Sequence, residues 1–344
     1  MEDNKKPSLL SNIMKYLIPL IITVGLCWIM FRSIDFGQMV GIIRDQCDFR
    51  WIGLALFISI FSHVFRAMRW RIQLKALGVK VPLFIVVLSI FGTYAVNLVF
   101  PRLGEVWRTG YISQRQDAPF STVFGSMVAD RLADTLTVLL LLITTFTFAS
   151  SSLISYLAQN QATYDSIIAL LLSPWIWLAV VACIALAWWF LSRPAAEGSL
   201  IYKVQHFVKG LWEGFAVILH MPGKGRWLLL TLCIWGCYFM QLYVAFYAFP
   251  FTEALLAEHG MIVALVAFTL SSIAMGVPSN GGIGPWQWAI MFALGIYGLG
   301  QTDSGAFANL VLGCQTVLLI VLGLFTFVCI MLDKKKTSTT KTNS

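Results

Sequence analysis

Long apolar runs, separated by short polar or basic segments, follow one another along most of the chain. The runs lie at 16–31, 51–65, 82–100, 120–149, 175–191, 227–249, 261–277, 287–299 and 307–332. A helix that crosses a membrane needs about 20 mainly apolar residues. The pattern therefore predicts an all-α polytopic membrane protein, with one transmembrane domain over 1–336 and a disordered polar tail at 337–344.

Two further segments have apolar residues on one helical face only. In 34–48 and in 200–219 these residues recur at spacings of three and four. Such spacing is typical of a helix that lies at a membrane interface. We expect 34–48 at the outer interface and 200–219 on the inner leaflet.

The basic residues are unevenly distributed, and their positions predict the topology. The net charge is +8, and lysine and arginine collect before the first run, at 66–80, at 193–226 and after the last run. Cytoplasmic loops carry such an excess, so we expect both termini in the cytoplasm, the loops 150–174 and 251–259 outside, and the inner or plasma membrane as the location. Trp70 fits an interfacial anchor. This pattern argues against a nucleic-acid surface.

Two apolar regions are interrupted by turn-forming residues, at Pro101 and over 278–285. Because 82–149 begins inside and ends outside, one of its two helices cannot cross. We predict about six full spans plus two broken re-entrant hairpins, 82–118 from the cytoplasm and 261–304 from outside. Paired breaks of this kind indicate a possible inverted repeat with a site near the midplane. Two complete crossings would satisfy the count for 261–304 equally well.

The composition leaves little room for a soluble catalytic domain. Charged residues make up 12% of the chain, against about 25% in a soluble domain. The chain has no Gly-x-Ser-x-Gly, His-Glu-x-x-His, P-loop or Gly-x-Gly-x-x-Gly pattern, so we expect no catalytic residue, cofactor or metal. The cysteines fit small buried hydrophobes. The four histidines fit polar positions near interfaces.

Six charged residues fall at membrane depth around the first break: Arg102, Glu105, Arg108, Asp130, Arg131 and Asp134. The first three are spaced by three residues, which would place them on one helical face, and Gly104 would allow close approach of a helix or ligand. One interpretation is a structural ion-pair network. The other is a polar cavity in which Arg102 or Arg108 binds a phosphate. The two interpretations are compatible.

Three further groups are weaker candidates. Asn97 precedes the first break. Arg66 and Arg69 fit either a binding role or topology anchors at a helix end. Gly281, Gly282 and Gly284 could present backbone amides to an anion, or could simply form a tight turn.

Four motifs occur in an order and at intervals that resemble a known family: Arg66-Ala67-Met68-Arg69-Trp70, Asn97-x3-Pro101-Arg102-x-Gly104-Glu105-x2-Arg108, Asp130-Arg131-x2-Asp134 and Pro278-Ser279-x-Gly281-Gly282-x-Gly284. Together they resemble the lysylphosphatidylglycerol synthase transmembrane-region family, the flippase-like membrane domain of the multiple peptide resistance factor. The resemblance covers roughly 10–332 and implies movement of a lipid between leaflets. Asp130 departs from the family, where Glu is more frequent. The soluble aminoacyltransferase domain has no counterpart here, so lysyl transfer is not expected.

We therefore expect a lipid translocator for a charged-headgroup phospholipid or a polyprenyl-linked lipid. Its expected partners are a membrane lipid with an anionic or zwitterionic headgroup and a cytoplasmic lipid-modifying enzyme, but no nucleic acid. The alternative is a non-transporting membrane subunit that anchors a glycosyltransferase or lipid-modifying enzyme through 200–219. A third hypothesis is an intramembrane enzyme that uses Glu105, Asp130 and Asp134. The oligomeric state stays open.

Overall fold

The computed structural model describes residues 36–100, 102–159, 221–277 and 279–342, together with isolated positions between 160 and 220. Within these ranges every regular element is a helix, so the all-α prediction is confirmed there. The helices are α1 (Phe36–Gln46), α2 (Phe49–Ala76), α3 (Leu83–Val99), α4 (Leu103–Gln116), α5 (Phe120–Gln159), α6 (Lys224–Ala245), α7 (Pro250–His259), α8 (Met261–Ala274), α9 (Pro285–Ile296) and α10 (Gln301–Thr342).

Four of the described helices are long and apolar enough to cross a membrane. They are Phe49–Ala76, Phe120–Ser150, Lys224–Ala248 and Gln301–Asp333, with a fifth if α7 and α8, bent by 111° to each other, count as one span. The chain is thus a multi-pass membrane protein. The predicted span at 16–31, the span at 175–191 and the helix at 200–219 lie outside the described residues, so the count of about six spans stays a prediction.

Three element boundaries differ from the sequence prediction. α5 continues to Gln159, into the predicted loop at 150–174, because no proline or glycine occurs between Gly125 and Pro174. The predicted loop at 251–259 is a helix with a proline in its first turn, where the fixed φ of proline favours helix initiation. α10 runs on to Thr342, through most of the segment predicted as a disordered tail.

The helix contacts follow a pattern that repeats between the two halves of the chain. α2 packs along α6; α3 packs on α4 and on α10; α8 packs on α9 and on α5. α4 also contacts α5, and α9 contacts α10. The contacts of the first half have counterparts in the second. The α3–α4 contact corresponds to α8–α9, the α3–α10 contact to α8–α5, and the α4–α5 contact to α9–α10. Each half therefore consists of a long helix, a broken helix pair and a second long helix.

The two broken pairs meet where their helices end. α3 has 17 residues and α8 has 14, against about 20 in an ordinary membrane span. The Leu98 side chain, at the end of α3, lies so close to Gly281 that a β-carbon on Gly281 would come within 2.6 Å of it. The two breaks are thus in direct contact, although Phe100 and Val277 beside them are exposed.

Candidate functional site

One face of α2 is polar, although this helix is a membrane span. Its buried polar residues recur at intervals of three and four: Ser59, Ser62, His63, Arg66, Arg69 and Gln73. Phe57 and Phe61 on another face are exposed. α2 therefore turns its polar face towards the protein and its apolar face towards lipid. Charged residues in a bilayer are found in this arrangement because they must be paired inside the bundle.

Two arginines of α2 face two aspartates of α5 in a compact ion-pair network. Arg66 Nη1 lies 2.8 Å from Asp134 Oδ2 and 3.4 Å from Asp130 Oδ2. Arg69 Nη2 lies 2.8 Å from Asp134 Oδ1 and 2.7 Å from Asp130 Oδ1. All four residues are buried. The spacings i,i+3 on α2 and i,i+4 on α5 place both partners of each helix on one face.

A third helix, α6, also contacts the two arginines of this network. Arg66 Nε donates to the Tyr238 hydroxyl at 3.2 Å, and Arg69 Nη1 donates to Thr231 Oγ1 at 3.3 Å. The Arg69 guanidinium also lies 5.5 Å from the ring centre of Trp227. The hydroxyls of α6 thus pair with two of the donors that do not face the aspartates, while Arg69 Nε has no hydrogen-bond partner among the described residues.

The start of α4 joins the network through a second pair. Arg131 Nη2 lies 2.9 Å from Glu105 Oε1, and Arg131 Nη1 lies 3.8 Å from Asp134 Oδ2. Asn97 Nδ2 donates to Glu105 Oε2 at 3.3 Å, and its Oδ1 accepts from the Gly104 amide at 2.8 Å. Asn97 therefore bridges the break between α3 and α4 and orients Glu105 towards α5.

Arg108 is the exceptional member of the site. Its side chain is fully buried, and its guanidinium carbon lies 4.5 Å from the ring centre of Trp70. The nearby Asp130 Oδ2 is 4.0 Å from Arg108 Nη2, which is beyond hydrogen-bond distance. Within the described residues none of the three guanidinium nitrogens has a hydrogen-bond partner. Leaving such donors unpaired in a low-dielectric site is costly.

The formal charges of the site do not cancel. Four guanidinium groups, those of Arg66, Arg69, Arg108 and Arg131, face three carboxylates, those of Glu105, Asp130 and Asp134. One positive charge is left over. Among the described residues Arg108 has all three guanidinium nitrogens unpaired, whereas Arg69 and Arg131 each leave only Nε unpaired. The site is therefore built to accept hydrogen-bond acceptors that carry negative charge.

The same geometry limits other chemistry. Each of the three carboxylates is within ion-pair distance of at least one guanidinium, so each serves as the partner of an arginine. In the part of the chain that the structure describes, no three histidine, cysteine, aspartate or glutamate side chains are placed to hold a metal ion.

The structure brings together most of the residues proposed from sequence, but Arg102 is not among them. Arg102 precedes α4 with a φ of 61° and is exposed, and its guanidinium donates to the Gly276 carbonyl oxygen. The expectation that Arg102, Glu105 and Arg108 share one helical face is wrong, because the helix begins one residue after Arg102.

The glycines of the second break form a turn. Gly281, Gly282 and Gly284 have φ values of 63°, 87° and 91°, which glycine adopts without strain. The Gly284 amide donates to Gln287 Oε1 at 2.9 Å, so it is not free for an anion. This arrangement favours the tight-turn interpretation over the anion site.

Arg66, Arg69 and Trp70 are core residues, whereas their sequence context allowed surface anchors. Trp70 is fully buried and donates from Nε1 to Ser126 Oγ at 3.0 Å, so it is not an interfacial anchor. Arg66 and Arg69 are buried as well, which overturns the topology-anchor interpretation. The polar spacing of 59, 62, 66, 69 and 73 could have revealed this face, because surface anchors need no helical period.

A family of membrane regions and one curated relative match the chain. The family described as Lysylphosphatidylglycerol synthase TM region matches residues 16–323. Glycosyltransferase AglD of Haloferax volcanii is 29% identical over 120 residues, which are 35% of this chain and 19% of the relative. The chain thus matches less than a fifth of that relative's length. No solved structure matches the chain.

Proposed function

The chain belongs to the lysylphosphatidylglycerol synthase TM region family, and we propose that it is a lipid translocator, which moves a charged-headgroup phospholipid or a polyprenyl-linked lipid between leaflets. The observation that carries this proposal is Arg108, a fully buried guanidinium without a hydrogen-bond partner among the described residues. A phosphate group is the natural ligand, because its oxygens accept paired hydrogen bonds from the planar guanidinium.

The surrounding residues suit this role. Trp70 stacks against Arg108 and so fixes the plane of its guanidinium. The aspartates hold Arg66 and Arg69 in place, and the two guanidinium groups add positive potential beside Arg108. Arg131 and Glu105 are more exposed, at 38% and 18% of their side chains, and would form the rim through which a headgroup enters. The acyl or polyprenyl chains would stay in the lipid.

The two broken helix pairs give translocation a plausible framework. In the proposed topology, α3–α4 enters from the cytoplasm and α8–α9 from outside, as in the inverted repeats of transporters. Their contacting breaks would separate the two leaflets, and movement of one pair against the other would open the site to each side in turn. The termini would be cytoplasmic, in the plasma or inner membrane. Without an ATP-binding motif in the sequence, movement would be downhill or coupled to an ion.

We favour translocation over catalysis. AglD is named a glycosyltransferase, but the match covers 19% of that protein, and its activity is not carried over to this chain. Glu105, Asp130 and Asp134 are all engaged by arginines, which disfavours the hypothesis of an intramembrane enzyme. The docking helix of the alternative, at 200–219, lies outside the described residues.

A reconstituted-vesicle assay tests the proposal. The purified protein is placed in phosphatidylcholine vesicles that contain fluorescent phosphatidylglycerol, and the lipid reaching the outer leaflet is quenched by an impermeant reductant. Arg108→Gln removes the charge but keeps a polar side chain of similar length. We expect it to slow translocation roughly tenfold to a hundredfold. This factor corresponds to the loss of one charge-assisted hydrogen bond to the headgroup.

Arg44→Gln is the matched control, because Arg44 is exposed and pairs only locally with Asp45 on α1. It should translocate lipid at the wild-type rate. If folded Arg108→Gln protein does so too, Arg108 does not hold the headgroup. If the wild-type protein adds nothing to the rate of empty vesicles, the chain is not a translocator of this lipid.

A further inference from the structure

His63 lies near the middle of α2, at the depth of the bilayer interior rather than at an interface. Its residue is 4% exposed, which overturns the expectation of a polar interfacial position. Its Nε2 lies 3.5 Å from Ser59 Oγ, and Nδ1 has no hydrogen-bond partner among the described residues. A titratable group inside a membrane span is expensive and is characteristic of ion and proton pathways.

His63 contacts α3 directly and is linked to further helices through Ser59 and Arg66 of its own helix. Arg66 follows it by three residues on α2. The Tyr94 ring of α3 has its centre 4.6 Å from the imidazole centre. Gln315 of α10 donates to Ser59 Oγ at 2.8 Å, and Tyr238 of α6 accepts from Arg66. Arg66 in turn pairs with Asp134 of α5.

Burial opposes a charged imidazole at His63, and the neighbouring Arg66 opposes it further. A proton on His63 would put a second positive charge close to Arg66. The cluster to which Arg66 belongs already has a formal net charge of +1. An anion at Arg108 changes that balance, because Arg108 and Arg66 both lie against Asp130 Oδ2, at 4.0 and 3.4 Å. An anion there would cancel the excess charge of the cluster that includes Arg66, and would so weaken the repulsion between Arg66 and a protonated His63.

We propose that His63 is the proton-binding residue of the translocator and that it takes up one proton together with an anionic headgroup at Arg108. The inference rests on the proposed function and names its coupling ion. The proton adds to the free lone pair of the neutral imidazole and returns to water after the headgroup leaves. Because coupling between two sites is reciprocal, proton binding strengthens headgroup binding by the same factor as the reverse. A proton gradient would then drive net lipid movement.

The test uses the vesicles described above with a pH difference imposed in either direction or with none. For the wild-type protein we expect a several-fold change in the rate of phosphatidylglycerol movement when the gradient is reversed. His63→Gln, which forms hydrogen bonds but binds no proton, should translocate at a rate independent of the gradient. His259→Gln is the control, because His259 lies at the end of α7 beside Tyr297 and Glu258, and it should keep the gradient response.

The outcomes separate the two proposals. Translocation that ignores the gradient in the wild type, or follows it unchanged in His63→Gln, overturns proton coupling and leaves the translocator intact. Absence of translocation under every gradient overturns both. If His63→Gln is inactive, the pH of weakly buffered wild-type protein in detergent is followed on adding short-chain phosphatidylglycerol. An alkaline shift that is missing in Arg108→Gln supports the proposal, and no shift in the wild type refutes it.

Discussion

A β-carbon on Gly104 would lie 2.1 Å from the main-chain carbonyl oxygen of Thr93. The backbones of α3 and α4 therefore touch at the first break, and only glycine fits there. The same glycine donates its amide to Asn97, so the contact fixes the start of α4. Arg108 lies one turn further along α4, and its position over Trp70 depends on this close approach.

Gly104→Ala should therefore destabilise the protein, by about 1–3 kcal/mol as for other overpacked sites. The carbonyl oxygen cannot move away without breaking the helix, so α4 must shift instead. Gly110→Ala, on the same helix with nothing within 4 Å of the added carbon, should be neutral or stabilise by about 0.5–1 kcal/mol. Thermal unfolding in detergent measures both, and equal midpoints for the two variants would contradict the predicted contact.

Asp134→Asn should cost about 3–5 kcal/mol, because it leaves the buried Arg66 and Arg69 without half of their compensating charge. The double variant Asp134→Asn with Arg66→Gln should lose less stability than the two single changes together, since it removes one charge of each sign. Asp45→Asn, in the exposed pair with Arg44, should have no measurable effect. Additive losses in the double-mutant cycle would mean that Arg66 and Asp134 do not interact.

Trp70 makes two separable contributions, which a pair of substitutions can distinguish. Trp70→Phe loses the hydrogen bond to Ser126, at about 1 kcal/mol, but keeps an aromatic face for Arg108. Trp70→Leu loses in addition the cation–π contact, at about 2 kcal/mol in a desolvated site. Unfolding midpoints should fall in the order wild type, Trp70→Phe, Trp70→Leu. Trp288→Phe, at a half-exposed position on α9, should leave the midpoint unchanged.

Sequence patterns predicted the long helices and the two breaks well, because run length and proline or glycine content are local properties. Such local properties do not predict which residues are buried, because burial depends on how the helices pack. An arginine after an apolar run satisfies the positive-inside rule equally well at a surface or in a core. Arg66 and Arg69 are buried because α5 and α6 pack against them, and the sequence of α2 alone does not reveal this packing.

The site was predicted in part for the same reason. Asp130 and Asp134 were found because charge inside a long apolar run is conspicuous. Arg102 was misplaced because the spacing rule assumes a helix that already includes it, whereas its φ of 61° puts it before the helix. The net charge of +1 at the site becomes visible only when the fold shows that four arginines and three carboxylates lie together.

Cysteine labelling tests the proposed orientation and the re-entrant path. With the seven native cysteines replaced by alanine, single cysteines are introduced at Lys80, Asp117 and Glu258, all exposed positions. The exposed basic residues around Lys80 should keep that loop in the cytoplasm, so Lys80→Cys should react with an impermeant maleimide only after the membrane is permeabilised. Glu258→Cys should react in intact cells.

Asp117→Cys decides whether α3 and α4 form a re-entrant hairpin, because Asp117 ends α4. A hairpin returns the chain to the side from which it came, so Asp117→Cys should behave like Lys80→Cys. If it is labelled in intact cells instead, α3 and α4 together cross the membrane. In that case α5, which follows directly, must cross in the opposite direction, and the proposed entry of the two broken pairs from opposite sides is wrong.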